Sequence, residues 1–560
     1  MQQKIRSLLI TMLPENIRSR AAFVDEKIVI SEELKGQLPV VNMVSRARAA
    51  GVSDFIAVPA SQFDLEYAMY ATRSGMGDNE IQNLVISMIA RAYNSGATDI
   101  HLINRGTYVQ SRFRILGQLC DDQEFDIDTG MRMIRTIYEH LCAAQDAPSF
   151  DVISRLDGRI VNRDYLPQGV FSVRVHSEPI EVDGAPDGHG TFMPLRLLRD
   201  TTGASGTLEE RLAQLGYTSR DVTLVDHTGK ERVAIAHTKL FRQLAARTGI
   251  TFISGPTGSG KSTALGHCME ALIEERPGEN FLSIEDPPEK PIRGMQQIPV
   301  VSKGDDRGRS YTEAIAGTNR DDTDTVMIGE IRYGEAALAT IEVALSGNAV
   351  WATIHAVDSL GIVPRLDVLL RGLVAEPLNI ICDPIVLSGL VCQRLVPMLC
   401  PHCKRPLREH KNALHPELIE RLRRTMPEEL IFGDSSHDGL FLRGEGCEHC
   451  RITDVSGKVL GHPGLHRQTV VAEVVAVDPW MLDLLRQHKI TDARQYWLTE
   501  CQGMTYLEHA RHLIATGIIS PDIAEDMLAM PIDADMARRP ADTPPTAATV
   551  STPEPMKRLI

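Results

Sequence analysis

The chain contains 560 residues, and this length predicts about three or four domains. Its composition, 43% hydrophobic and 24% charged, is typical of globular proteins, and its formal net charge of −15 argues against a general binder of the nucleic-acid backbone, while leaving room for local basic patches. The ten cysteines are too few and too scattered for a secreted disulfide framework, and the lack of an apolar run of about eighteen residues argues against a membrane-spanning helix.

Residues 1–77 form the first segment, in which apolar and polar stretches alternate without a catalytic signal. We interpret this segment as an N-terminal docking module or arm, with a small α/β module as its simplest form. Its first residues resemble a signal peptide only loosely, because the apolar core is short and no small-residue cleavage site follows. The sequence therefore predicts a cytoplasmic protein.

Residues 78–235 are predicted to form one mixed α/β domain. Residues 80–94 carry apolar side chains at helical spacing, and residues 108–115 alternate as a strand that places Arg112 and Arg114 on one face. Two arginines on one strand face are most often solvent-exposed, although beside a nucleotide they can pair with phosphate groups.

Two further signals follow in the same domain. The pair Asp157 and Gly158 predicts the turn of a hairpin, because this dipeptide favours the backbone angles of tight turns. Residues 171–175 alternate again and predict another strand.

Residues 236–395 are predicted to form the core domain, which is built around an apolar strand at residues 251–254. The strand is followed by a glycine-rich turn composed of Gly255, Pro256, Thr257, Gly258, Ser259, Gly260, Lys261, Ser262 and Thr263. Apolar residues then recur four apart, which predicts a helix. This succession of strand, turn and helix predicts a phosphate-binding loop and argues against a chance glycine turn.

The residue types in this loop match the chemistry of a bound phosphate. Glycines let the backbone N–H groups point at phosphate oxygens, and the N-terminus of the helix adds partial positive charge. Lys261 is expected to reach the β- and γ-phosphates, and the hydroxyl of Ser262 is expected to bind Mg²⁺.

Polar side chains follow three other predicted strands of the core. Carboxylates at residues 285–289 follow the strand at 280–284, Glu330 ends the strand at 325–330, and His355 follows a third strand. Ligands of open α/β sheets bind at the carboxyl ends of the strands, and a carboxylate such as Glu330 can hold Mg²⁺ through water. The alternatives are an ordinary polar loop and a structural histidine.

Residues 396–530 are predicted to form a helical region stapled by metal. Two C-x-x-C pairs provide four thiols, at Cys400, Cys403, Cys447 and Cys450. Four thiolates form a closed tetrahedral zinc site, which is typical of structural zinc. Free buried cysteines or a redox pair are the alternatives. Residues 531–560 are rich in proline, threonine and alanine and predict a disordered tail.

The motifs G-P-T-G-S-G-K-S-T, I-E-D-P-P-E, D-T-V-M-I-G-E-I-R and S-G-N-A-V-W-A-T-I-H-A occur in that order. Together they resemble the Walker A, aspartate, Walker B and histidine boxes of the secretion ATPases of type II secretion and type IV pili. The resemblance implies an α/β fold, in which a RecA-like P-loop core follows a smaller mixed α/β domain and precedes a zinc-bound helical region. The zinc motif is similar to that of extension-type members, with the motors of thin conjugative pili as a related branch.

The resemblance also implies roles for single residues. Glu289 matches the general base that orients the attacking water, Glu330 matches the Walker B glutamate, and His355 matches the residue that senses the nucleotide. Arginines that neutralise phosphate charge are implied at four positions, Arg112, Arg114, Arg174 and Arg320. Three departures from the family pattern, at Pro288, Thr323 and Tyr333, leave the subtype and the rate of turnover open.

By the same resemblance, the protein is expected to be a homohexamer that hydrolyses ATP with Mg²⁺, carries structural Zn²⁺ and binds ATP between each core and the N-terminal domains. It would work at the inner membrane, as a peripheral component, by pushing on a platform protein that adds subunits to a pilus or pseudopilus. A retraction motor and a conjugation or type IVB secretion ATPase are the alternatives within the family. Outside it stand a nucleic-acid translocase, which the acidity disfavours, and a non-hydrolysing regulatory subunit. No direct contact with nucleic acid is expected.

Overall fold

The computed structural model describes most of the chain after residue 78. The described ranges are 17, 20–24, 27–49, 52, 54–63, 67, 78–183, 188–200, 205–300, 307–410, 412–434, 438–453 and 459–535. The predicted tail at residues 531–560 therefore lies outside the described residues from 536 onward. Among the described helices, none combines the length and the apolar character needed to cross a membrane.

The N-terminal segment contains a small α/β unit. Its three strands are β1 (Ala21–Val24), β2 (Lys27–Ser31) and β3 (Asp54–Val58). The helix Leu38–Ala49 connects β2 to β3, which pair in parallel, as a crossover connection requires. Apolar side chains of the strands and of this helix form a separate small core.

The second sheet has seven strands and is antiparallel throughout. In spatial order they are β6 (Gln118–Asp126), β5 (Tyr108–Ile115), β4 (Ala97–Asn104), β10 (His189–Arg199), β9 (Val170–Glu181), β8 (Leu156–Ile160) and β7 (Ala144–Gln145). The helices Asp78–Asn94 and Ile127–Thr136 cover one face with apolar side chains. The predicted alternation of β5 is confirmed, because its even-numbered side chains, Arg112 and Arg114 included, are less buried than their neighbours.

The predicted hairpin turn at Asp157 and Gly158 is wrong. Both residues lie inside β8, where Gly158 pairs with Val175 of β9 and with Gln145 of β7. Hydrogen bonds to partner strands on both sides outweigh the local turn preference of the dipeptide.

The core sheet also has seven strands, of which six run parallel and the last is antiparallel to its neighbour. In spatial order they are β15 (Gln296–Pro299), β14 (Phe281–Glu285), β16 (Thr325–Ile331), β17 (Ala349–Ile354), β13 (Gly249–Ser254), β18 (Leu387–Leu399) and β23 (Leu465–Ala476). Helices cover both faces, at His237–Ala245, Lys261–Glu275, Arg307–Gly317, Gly334–Leu345, Ile362–Leu370 and Pro377–Ile381. This arrangement confirms the predicted α/β class, since parallel strands need cover on both faces.

The segment between the two large sheets packs on the core. Its helix Leu208–Leu215 lies against the helix Lys261–Glu275, and its hairpin of β11 (Val222–Val225) and β12 (Glu231–Ala234) packs against Met504. The N-terminal domain was expected to end at residue 235, but residues 208–234 pack outside it. We therefore propose that this domain ends between residues 200 and 205. The small residues at 203–206 favour a loop and so indicated a possible domain boundary. Composition alone, however, could not show which sheet the next helix would cover.

The C-terminal region is also joined to its neighbours. β18 runs through the expected boundary at residue 395, and β23 completes the core sheet. Short strands flank the cysteine pairs, at β19 (Arg405–Pro406), β20 (Phe441–Leu442), β21 (Ile452–Thr453) and β22 (Val459–Leu460). The remaining helices are Pro416–Thr425, Glu428–Phe432, Pro479–Arg486, Ile490–Thr499, Tyr506–Ala515 and Pro521–Leu528.

Candidate nucleotide-binding site

The glycine-rich turn connects a fully buried strand, β13, to the helix Lys261–Glu275. Three of its glycines have positive φ angles, 143° at Gly255, 78° at Gly258 and 83° at Gly260. A Cβ atom on Gly255 would lie 2.2 Å from the carbonyl oxygen of Gln393. The close approach of β18 therefore requires glycine at this position.

Lys261 occupies the first turn of this helix. Its Nζ donates to the carbonyl oxygens of Gly255, at 2.9 Å, and Pro256, at 3.1 Å. Burial lowers the pKa of the ammonium group, and the nearby carboxylates of Glu330 and Glu289 oppose this effect. The ammonium group is thus held at the loop, where a phosphate can bind it.

The three predicted strand ends meet at this loop. Glu289, Glu330 and His355 line one cavity of about 950 Å³ together with residues 256–263. The Nε2 atom of His355 lies 2.5 Å from the Glu330 carboxylate, and its Nδ1 atom lies 3.1 Å from the carbonyl oxygen of Gly255. Arg332 also contacts Glu330, at 2.6 Å. The cavity thus joins anionic, cationic and imidazole groups around the phosphate-binding loop.

The opposite wall of the cavity is the polar face of the seven-stranded antiparallel sheet. The registers of its strands align five side chains in one line across β8, β9, β10, β4 and β5, namely Arg159, Arg174, Arg196, Asp99 and Arg114. We call this line the arginine row. All of its members except Arg159 line the cavity.

The arginine row carries a surplus of positive charge. Asp99 contacts Arg196 at 3.0 Å and Arg114 at 3.9 Å, so one carboxylate faces two guanidinium groups. Arg159 reaches across to the core, where its Nη2 atom lies 3.5 Å from the carbonyl oxygen of Glu289. Burial lowers the pKa of Arg159, and the carboxylate of Glu289 opposes this effect. Guanidinium groups of this kind are suited to phosphate oxygens.

Two residues that the family resemblance implied lie elsewhere. Arg112 is on the same sheet face, two residues before Arg114 along β5, and contacts Asp121 at 2.7 Å. Arg320 is exposed in a short turn before β16, at the amino end of the strand, whereas the cavity lies at the carboxyl ends. Within the described part of the chain, the structure brings Arg114 and Arg174 to the cavity but not Arg112 or Arg320.

A buried hydrogen-bond link supports the loop from behind. Gln393 donates from Nε2 to the carbonyl oxygen of Ser259 at 2.7 Å, and its Oε1 accepts a hydrogen bond from the hydroxyl of Tyr217. No sequence motif pointed to this pair, nor to Arg159 and Arg196 as residues of the site. Arginines at outward positions of alternating strands were the available signal, but their alignment depends on strand registers.

The four cysteines of the C-x-x-C pairs form a second candidate site. Their sulfur atoms all lie within 4.8 Å of one another, with 3.8 Å between Cys400 and Cys447 and 3.7 Å between Cys403 and Cys450. A tetrahedron with Zn–S bonds of about 2.3 Å requires sulfur atoms about 3.8 Å apart. The cluster therefore has the dimensions of a Cys₄ zinc site.

The surroundings favour a thiolate at Cys450, whereas burial raises the pKa of Cys400 and Cys403. The backbone N–H groups of Cys447 and Gly464 donate to the sulfur of Cys450, at 3.3 Å and 3.2 Å. Against the effect of burial, these donors lower the pKa of Cys450 to about 7. The imidazoles of His402 and His449 stack on each other, with ring centroids 3.9 Å apart.

Comparison with known proteins identifies the family to which this chain belongs. The profile of the family described as "Type II/IV secretion system protein" matches residues 75–517. The chain belongs to this family. The match includes the arginine row, the phosphate-binding loop and the cysteine cluster, so the sites described above lie within the family's common part.

Named relatives support the assignment to the type II/IV secretion family. The chain is 27% identical over 412 residues to the type II secretion system ATPase E of Vibrio cholerae, a match that covers 73% of this chain and 67% of the relative. It is 28% identical over 440 residues to the type IV pilus assembly ATPase PilB of Thermus thermophilus, covering 77% of this chain and 43% of the relative. The matched stretch is thus between about two fifths and two thirds of these relatives.

Among solved structures, the ATPase DotB of Yersinia pseudotuberculosis has a similar fold. It superposes with a TM-score of 0.52 at 16% identity, and the match covers 82% of this chain and 95% of that one. At this identity the similarity shows the fold alone.

Proposed function

We propose that this protein is a hexameric ATPase motor that drives assembly of a type IV pilus or pseudopilus, or protein secretion, at the inner membrane. One observation carries the proposal. The phosphate-binding loop and Glu289, Glu330 and His355 face the arginine row across a single cavity. Phosphoryl transfer depends on positioned water and on positive charge around the phosphate, and this cavity provides residues for both.

We propose the following roles for the residues of the cavity. Lys261 and the backbone N–H groups of the loop bind the phosphates of ATP. Glu289 orients and deprotonates the attacking water. Ser262 and Glu330 would hold Mg²⁺, the latter through water, and the ion when bound neutralises charge on the phosphates. His355 contacts both the Glu330 carboxylate and the carbonyl oxygen of Gly255, so it links the proposed magnesium ligand to the phosphate-binding loop.

The arginine row gives the proposed motor a way to convert hydrolysis into movement. Its arginines belong to a different sheet from the loop, so the terminal phosphate attracts the two sheets toward each other. Loss of that phosphate weakens the attraction, because the Coulomb energy across a poorly hydrated cavity depends strongly on charge. The resulting rotation would act on a platform protein in the inner membrane.

We further propose that the cysteine cluster holds a structural zinc ion. Four cysteine ligands complete a tetrahedral coordination shell, so no ligand position stays open for catalysis. When bound, the ion would tie the segment around Cys400 to the segment around Cys447. The zinc motif is the reason to favour an extension motor over the retraction motor, with a conjugation or type IVB secretion ATPase as the other candidate within the family.

The first test compares ATP hydrolysis and zinc content of the wild type with Lys261→Ala and Glu289→Gln. We expect about one zinc per chain, turnover by the wild type alone, and ATP binding that survives in Glu289→Gln but not in Lys261→Ala. Glu289→Gln keeps the shape of the side chain and removes only its basicity, which makes it the matched control for binding.

A different result would favour the second candidate, a regulatory subunit. Pro288 precedes Glu289, and the exposed Tyr333 lines the cavity close to Glu330 in sequence. If the purified hexamer binds ATP but shows no turnover on anionic lipid, these departures have silenced the motor. If DNA stimulates turnover, the translocase becomes the better description.

A further inference from the structure

Glu289 lies on the segment between β14 and β15, and its side chain lines the cavity. A carboxylate that orients water must be held closely, because a displacement of about 1 Å can cost about 100-fold in rate. The side chain itself is only half-buried. Its position therefore depends on what fixes the backbone on either side of it.

One side chain on β15, Gln297, makes three hydrogen bonds into this segment. Its Nε2 donates to the carboxylate of Glu285 at 2.8 Å and to the carbonyl oxygen of Lys290 at 2.9 Å. Its Oε1 accepts from the backbone N–H of Ile292 at 2.9 Å. Both N–H groups of the amide are thus used, and its three bonds end on the last residue of β14 or on the segment that carries Glu289.

Glu285 passes the restraint to Glu289 itself. The buried carboxylate of Glu285 accepts a hydrogen bond from the hydroxyl of Ser283 at 2.8 Å and another from the backbone N–H of Glu289. Gln297 therefore restrains the backbone on both sides of Glu289. It does so on the N-terminal side through Glu285 and on the C-terminal side through the carbonyl oxygen of Lys290. Displacement of the Glu289 backbone would stretch or break these hydrogen bonds.

We infer that Gln297 is a positioning residue for hydrolysis, whose amide holds the backbone around Glu289 so that this carboxylate meets the attacking water. The inference rests on the proposed function, in which Glu289 is the general base. Gln297 is not among the described residues that line the cavity, whereas Glu285 and Glu289 are. It is therefore assigned to the positioning of Glu289 and not to binding of the nucleotide.

The test compares Gln297→Met with Gln296→Met. Methionine keeps the approximate shape of glutamine and removes its hydrogen bonds, and Gln296 is an exposed neighbour on the same strand. For Gln297→Met we expect kcat to fall by about 100-fold, with the Kd for a fluorescent ADP analogue within about threefold of the wild type. Gln296→Met should match the wild type in both measurements.

A pH profile separates positioning from a general loss of stability. Burial raises the pKa of Glu285, and the hydrogen bonds from Gln297, Ser283 and the Glu289 N–H act to lower it. The ionisable groups that interact with Glu285 are Glu289, Lys290, Arg159 and Tyr311. The ionised carboxylate of Glu285 accepts the backbone N–H of Glu289, so protonation of Glu285 should loosen Glu289 and lower kcat. Without the Gln297 donor the pKa of Glu285 rises further, so this loss of kcat should begin at higher pH in Gln297→Met than in the wild type or Gln296→Met.

Three results would overturn the inference. Wild-type turnover in Gln297→Met would show that its hydrogen bonds do not matter for Glu289. A loss of ADP affinity as large as the loss of kcat would assign Gln297 to the general stability of the core. If the wild type itself never hydrolyses ATP, the proposed function fails, and the inference fails with it for that separate reason.

Discussion

The phosphate-binding loop and the arginine row face each other across one cavity, but they are built differently. The loop consists of nine consecutive residues, 255–263, held between a buried strand and a helix. The row takes one side chain from each of five strands, so its shape depends on four strand registers. The residues of the loop are therefore neighbours in the sequence, supported by Gln393 of β18, whereas the row is fixed by its whole sheet and can move only with that sheet.

This difference suggests a division of labour. A loop of this kind can bind phosphate in any position of the second sheet. In the proposed motor, the row would meet the phosphate only when the two sheets are close, so it would report which nucleotide is bound. Binding should accordingly depend mainly on the loop, and turnover on both regions.

The largest effect is expected when the row is broken at Arg174. Arg174→Ala should lower kcat by about 1,000-fold, the effect of removing an arginine that neutralises charge during phosphoryl transfer. Its affinity for ADP should stay close to that of the wild type. Steady-state hydrolysis and equilibrium binding measure the two effects separately.

Arg112→Ala is the matched control for Arg174→Ala. Arg112 lies on the same sheet face but contacts Asp121 outside the cavity, and an exposed ion pair contributes little to stability. We expect turnover within about twofold of the wild type, as is usual for surface substitutions. If Arg112→Ala lost as much turnover as Arg174→Ala, membership of the arginine row would not determine which arginines matter for hydrolysis.

The same contrast explains what could be predicted from sequence. Gly255 to Thr263 carry their own signal, because strand, turn and helix follow one another along the chain. Arg159 and Arg196 gave no such signal, since they join the row only through pairing with distant strands. The hairpin expected at Asp157 failed for the same reason, as partner strands on both sides decided its conformation.

The α/β class was predictable and the extent of the core was not. Apolar strands that alternate along the chain with segments of helical periodicity indicate a parallel sheet. The helix Leu208–Leu215 and strand β23 lie outside the expected core at 236–395, yet both pack on it. Their apolar residues predict burial without identifying the surface that buries them.

A smaller effect is expected from a change within the loop. In Gly255→Ala the added Cβ atom meets the carbonyl oxygen of Gln393 at 2.2 Å, and φ is 143°, so the loop must shift. We expect ADP affinity to fall by about 10- to 100-fold, because backbone strain of this kind costs about 1–3 kcal/mol. Gly278→Ala is the control, because in the described part of the chain no atom lies within 4 Å of its Cβ position. Normal affinity in Gly255→Ala would show that the loop is less rigid than its contacts indicate.

The smallest effect concerns a buried pair that does not line the nucleotide cavity, His237 and His509, whose ring centroids lie 4.7 Å apart. Burial lowers the pKa of His237 to about 3, and it lowers the pKa of His509 well below its usual value. Both therefore stay neutral in the folded protein at pH 5, while the unfolded chain takes up protons below about pH 6.5. The unfolded state then binds more protons, so the free energy of unfolding should fall by about 2 kcal/mol per histidine between pH 7 and pH 5.

Denaturant unfolding at these two pH values measures this fall, and His237→Phe separates the contribution of one ring. Phenylalanine can keep the aromatic contact with Tyr217, whose ring centroid lies 5.9 Å from that of His237, and it takes up no proton. The variant should therefore lose about 2 kcal/mol less than the wild type on acidification. An equal loss would mean that His237 takes up its proton as readily in the folded protein as in the unfolded chain, and that its ring is accessible to water.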